Sequence, residues 1–154
     1  DERLSGYEDD DLFLRLFQAG YENVYLPKSL SKWRIYQTSS SYTPRMAISR
    51  MLYARKLIDR FPDDPDMSRY YVRDMIAPRF FFIMVAELRK AVLRGTLDQQ
   101  TVAVNNLAYI TSYMRLRWRL PLRFLFLPSV RIPFLARLIM RHRTVLGSVA
   151  RRFL

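Results

Sequence analysis

From Asp9 to Ala19 apolar residues return at helical spacing, with Leu12, Leu16 and Ala19 on one face and Phe13 and Phe17 beside it. Gly20 supplies the left-handed position that ends such a helix. Val24-Tyr25-Leu26 and Trp33-Arg-Ile-Tyr36 are β-branched and aromatic and read as short strands, divided by a turn at Pro27. A helical stripe then runs through Ala47, Met51, Ala54, Ile58 and Phe61, with Pro44 suited to the first turn. Phe61-Pro-Asp-Asp-Pro-Asp66 breaks it, because two prolines and three acids cannot continue a helix.

Beyond that segment the pattern is helical throughout. One long helix is expected from about Ser68 to Arg94, kinked or broken at Pro78 and stopped by Gly95. Thr96-Leu-Asp-Gln99 forms a capping box for the next helix, expected to reach about Arg119. Pro121, Pro128 and Pro133 cut the remainder into short pieces that lead to a final helix or two through Phe153. Two regions follow: 1–62, and a basic helical extension over 63–154. No internal repeat is visible.

Half of the 154 residues are apolar and 14% are aromatic, which argues against disorder. There is no cysteine, so neither a disulfide framework nor a thiolate metal site is available. The net charge of +12 is concentrated at one end. Residues 115–154 hold ten arginines and no acid, whereas residues 63–114 hold six basic and six acidic side chains. Such asymmetry points to an anionic partner surface. A membrane span is not expected. Phe80–Ala86 is too short, and Leu120–Met140 carries Arg123, Arg131 and Arg137, each costing roughly 2.5–3.5 kcal/mol near a bilayer centre.

Four consecutive acids, Glu8 to Asp11, open the first helix. Acids there complement the exposed N–H groups and the positive end of the helix dipole, but four in a row repel one another and exceed that need. Glu8-Asp9-x-Asp11-Leu, then Arg15-Leu16, Ala19-Gly20-Tyr21 and a segment ending in Leu26-Pro27, resembles family 2 glycosyltransferases. The resemblance spans roughly the first sixty residues. It implies the C-terminal part of a GT-A α/β domain, giving a mainly α chain with a small β element followed by the helical extension. It also implies that Asp9 is the general base that takes the proton from an acceptor hydroxyl, with inversion at the anomeric centre. Relatives often carry a metal-binding histidine where Tyr36 stands, and tyrosine is a poor ligand for a divalent cation. The family's nucleotide-binding strands and aspartate-rich metal motif do not occur in these 154 residues. The chain is therefore expected to be a fragment that binds no cofactor itself. A divalent Mg or Mn ion with the nucleotide-sugar belongs to the complete enzyme, whose N-terminal catalytic half is the first expected partner.

Around Asp9, Glu8 is a candidate for bonding an acceptor hydroxyl, and Asp11 stands at i,i+4 spacing to Arg15. Trp33 and Tyr36 offer aromatic faces to an acceptor sugar or pack as ordinary strand residues, and Arg34 between them faces a phosphate or solvent. His142 is the single histidine and reads as a basic surface residue. Arg115, Arg117, Trp118, Arg119, Arg123, Arg137, Arg141 and Arg143 lie among leucines and phenylalanines, a mixture suited to a membrane interface. The same mixture also suits packing against other protein.

The leading expectation is the acceptor-side portion of an inverting transferase that moves a sugar from a nucleotide-sugar to a glycan or lipid-linked acceptor. It would be cytoplasmic and peripheral on the cytoplasmic face of a membrane. The alternative is a non-catalytic basic module that binds anionic membrane. Nucleic acid is the least favoured partner, because the tail is poor in lysine, glycine and amides.

Overall fold

The computed structural model describes residues 1–32 and 44–142. The chain divides into two compact units, Asp1–Lys56 and Leu57–Leu154, with the boundary inside a helix. It is mainly helical, and among the described residues an isolated bridge between Asp64 and Arg69 is the only extended pairing. The expected strand at Trp33–Tyr36 lies outside the described residues. At Val24–Leu26 the structure corrects the expectation: this segment is irregular and exposed. Strand propensity alone does not hold a strand, because its N–H and C=O groups need a neighbouring strand to bond.

In the first unit, α1 spans Glu8–Gln18 and ends at Gly20, whose φ is +85°. Helix α2 spans Pro44–Arg60 and carries on into the second unit. Leu4, Met51, Tyr53 and Ala54 are buried here. The apolar face of α1 is not the side that the fold covers. Leu12, Phe13, Leu16 and Phe17 are all exposed, while Asp11 is buried. Hydrophobic period marks an apolar face, and which face is covered depends on the neighbours the fold supplies.

The second unit begins with the proline-bracketed loop, which is ordered by its acids. Asp64 and Arg69 exchange two backbone hydrogen bonds of 2.7 and 2.8 Å. Asp63 Oδ1 accepts the backbone N–H groups of Val72 at 2.7 Å and Arg73 at 3.2 Å, supplying acceptors to the start of the next helix. That helix opens with a π-helical segment, Val72–Ile76, and continues as α3, Ala77–Arg94. Pro78 therefore does not break it. The N–H of Ala77 bonds Val72 O, five residues back, and this wider turn suits a proline ring that would clash in a regular α-turn.

The device recurs downstream. Helix α5 (Leu116–Pro121) runs through a second π segment, Leu122–Phe126, into α6 (Leu127–Arg131), with the N–H of Leu127 bonded to Leu122 O and Pro128 next. Pro121 and Pro128 thus do not cut the chain. The real interruption is Ile132, extended at ψ 115°, after which Pro133 starts α7 (Pro133–Arg141).

Helix α4, Leu97–Thr111, has the predicted capping box, formed by Thr96 and Gln99. It ends earlier than expected, in a turn over Ser112–Met114. Gly95 is extended rather than left-handed. A Cβ there would meet Gln99 Oε1 and Ala91 O, so the tight approach of the capping box requires glycine.

Helix α3 packs against α4 and α7, and α6 packs against both α4 and α7. The core is built from Phe80, Phe81, Met84 and Leu88 of α3, Leu107 and Ile110 of α4, Val130 of α6 and Met140 of α7. Two carbonyls near helix ends are met by side chains: Gln100 Nε2 donates to Val130 O at 3.1 Å, and Arg89 Nε donates to Met140 O at 2.9 Å. No described helix is long and apolar enough to cross a membrane.

Leu88 is fully enclosed at the centre of α3. Leu88→Ala is expected to destabilise the protein by about 2–5 kcal/mol in urea unfolding, whereas Leu125→Ala, on an exposed face, is expected to stay within about 0.5 kcal/mol.

Candidate functional site

The first unit is assembled around one buried charge. Asp11 is only 1% exposed. Lys56 Nζ of α2 lies 2.8 Å from its Oδ1, and Arg15 Nε, one helical turn along α1, lies 3.2 Å from its Oδ2. Oδ2 accepts no hydrogen bond from the described residues, so its contact with Arg15 is an ion pair without hydrogen-bond alignment. Burial pushes the Asp11 carboxyl up. The Lys56 hydrogen bond, with the charges of Lys56 and Arg15, outweighs burial and holds it below the ordinary 3.8.

The chain leading into α1 is pinned to α2 as well. Ser5 donates its N–H to the buried Ser49 Oγ at 2.6 Å. Gly6 has φ +80°, the left-handed region that favours glycine, and the end of the Met46 side chain packs where a Cβ would stand. Tyr7 stacks on Tyr53 with ring centroids 5.1 Å apart, and its hydroxyl accepts from Arg50 Nε at 2.9 Å. Lys56 also lies 3.5 Å from Asp1 Oδ2.

These contacts separate the four acids. Asp11 turns inward, while Glu8, Asp9 and Asp10 stand at the surface in the first turn of α1. Asp9 Oδ1 accepts the N–H of Asp10 at 3.0 Å, so its carboxylate is held at the helix start. Trp33, Arg34 and Tyr36 lie outside the described residues. Among the described residues no group of three or more histidines, aspartates and glutamates is placed to hold a metal, and Asp11 is already taken by two cations.

Sequence reasoning missed Gly6, Tyr7, Ser49, Tyr53 and Lys56. Ser49, Tyr53 and Lys56 follow i, i+4, i+7 spacing and line one face of α2, a polar row that the apolar stripe drew attention away from.

The arginines of the second unit differ among themselves. Arg115 Nε donates to Asp74 Oδ1 at 2.8 Å, and Arg73 pairs with the same carboxylate. The hydrogen bonds from Arg73 and Arg115 hold the Asp74 carboxyl well below the usual carboxylate range. Arg119 Nη1 donates to Ser112 O at 3.3 Å. The exposed Arg117 and Arg123 lie 5.1 and 5.7 Å from the ring centroids of Trp118 and Phe124. Arg137 and Arg141 are exposed on α7, and Arg143 lies outside the described residues.

Compared with models of protein families, with curated proteins and with solved structures, the chain gives no significant match.

The Asp11–Lys56 pair yields a prediction with a definite sign. The folded chain holds the Asp11 proton less tightly than the unfolded chain, so the pair stabilises above pH 3.8 and its contribution is lost as pH falls below that value. Lys56→Met leaves the buried carboxylate short of its main cation and is expected to cost about 3 kcal/mol. That cost is expected to shrink as pH falls, because the stranded carboxylate, which burial alone pushes up, then takes up a proton, and amide exchange across α1 is expected to speed up at neutral pH. Adding Asp11→Leu to Lys56→Met is expected to restore much of the loss, because the stranded charge is then gone.

Proposed function

We propose that this chain is the acceptor-side portion of an inverting glycosyltransferase, which moves a sugar from a nucleotide-sugar to a glycan or lipid-linked acceptor on the cytoplasmic face of a membrane. The observation that carries the reading is the division of labour within the acidic run. Asp11 is buried and ion-paired, and it holds the helix start in place. Asp9, two residues earlier, is left at the surface with a carboxylate that a hydroxyl can reach. Surplus helix capping does not account for this arrangement, because capping needs no member of the run to be buried against a lysine of another helix.

In this reading Asp9 accepts the proton of the acceptor hydroxyl while the oxygen attacks the anomeric carbon, and the nucleoside diphosphate leaves from the opposite face. One carboxylate at hydrogen-bond distance is sufficient for that role. Glu8, also exposed, orients the acceptor through a second hydroxyl. Asp11 acts through position: with Lys56 it sets the register of the first turn and so the place of Asp9. Trp33, Arg34 and Tyr36 remain candidates for the acceptor's sugar ring and phosphate. The nucleotide-sugar, with its Mg or Mn ion, belongs to a catalytic half joined to this segment, so the segment alone transfers nothing.

The test uses the full-length protein, donor half included, and follows nucleoside diphosphate released from a panel of nucleotide-sugars in the presence of extracted membrane lipids. Asp9→Asn is expected to lower acceptor-dependent release by about 10²–10⁴-fold with folding unchanged, and Asp10→Asn to alter it only a few-fold. Near-normal turnover by Asp9→Asn removes Asp9 from the role of base.

A further inference from the structure

We propose that the C-terminal helices of the second unit form a docking surface for membrane rich in anionic lipid, lying on the bilayer rather than crossing it. The proposal does not depend on the transfer reading, because it rests on the second unit alone. Along α5 and the π segment that follows it, Leu116, Leu120 and Phe124 recur every four residues as an exposed ridge, and Leu125 beside them is 69% exposed. The inward side of the same stretch is Leu122, Leu127 and Val130, all buried. On α7, Phe134 is 74% exposed and Leu138 follows one turn later, while Ala136 and Met140 face the core. Both helical stretches therefore carry two apolar sides, and the fold covers one of them.

What covers the other is indicated by charge. Arg117 and Arg123 border the first ridge, and Arg137 and Arg141 stand three residues beyond Phe134 and Leu138, on the neighbouring row of the same helix. From residue 115 to residue 154 there are ten arginines and no acid. A protein partner of ordinary mixed charge does not call for so one-sided a surface. An anionic bilayer does: apolar side chains enter the acyl boundary while guanidinium groups reach phosphates on long stems. The apolar members are four leucines and two phenylalanines, which suits acyl chains better than the base stacking of nucleic acid. No described helix is long and apolar enough to span, which agrees with helices lying in the interface.

The chain has no cysteine, so a single one can be introduced as a reporter. In the full chain, Phe124→Cys and Phe134→Cys labelled with an environment-sensitive fluorophore are expected to shift to the blue on mixing with phosphatidylcholine–phosphatidylglycerol vesicles. Leu97→Cys, exposed at the start of α4, is expected not to shift. Co-sedimentation is expected to be at least about tenfold stronger on these vesicles than on phosphatidylcholine alone, and Arg137→Gln with Arg141→Gln to remove about tenfold of it. Phe134→Ser with Leu138→Ser is expected to reduce binding at an unchanged melting temperature, which separates docking from folding. Equal binding to neutral vesicles, unshifted labels at both ridges, or binding to random RNA without binding to vesicles would each overturn the proposal.

Discussion

A polar group taken out of water must be given a partner, and this requirement shapes both units more visibly than apolar burial does. In the first unit the group is the Asp11 carboxylate. Its removal from solvent disfavours the charged form, and only the nearby Lys56 and Arg15 reverse that preference. Once α1 is turned so that Asp11 meets Lys56, the apolar row Leu12, Phe13, Leu16 and Phe17 faces outward. The covered side of the helix thus carries an ion-paired carboxylate rather than its most obvious hydrophobic face.

In the second unit the groups are backbone amides and carbonyls around prolines and helix ends. The turns before Pro78 and Pro128 widen to a five-residue hydrogen bond, so each helix passes its proline intact. Where the chain does break, at Ile132, the carbonyl of Val130 is taken by Gln100 of α4. Arg89 of α3 serves Met140 near the end of α7 in the same way. These side chains tie the helices together at the points where regular hydrogen bonding stops, and the apolar core of Phe80, Met84, Leu88, Leu107 and Ile110 fills the space between.

Much of the local structure was legible in the residues. The limits of α1 and α2, the Thr96–Gln99 capping box and the left-handed Gly20 all follow from groups a few positions apart, whose physics is complete within one or two turns. The candidate site was legible only as the acidic run. Nothing near Asp11 in the chain announces Lys56, forty-five residues away. The short strand expected at Val24–Leu26 failed for a related reason, since a strand exists only by virtue of a partner. Pro78 was read as a kink or break and Pro128 as a break because a proline rules out the regular bond, while the π-turn that evades it has no strong residue signature of its own.

The sequence by itself determined that this is a mainly helical chain, where its first two helices begin and end, that four carboxylates gather at one helix start, and that the positive charge accumulates after residue 115. These are consequences of neighbours along the chain, where spacing is known once the residues are known. Only the tertiary structure decided which of the four acids is buried, which face of α1 is covered, and which apolar rows of α5 and α7 are left at the surface. Those outcomes depend on a lysine, a glutamine and an arginine arriving from other helices to meet groups that water no longer reaches.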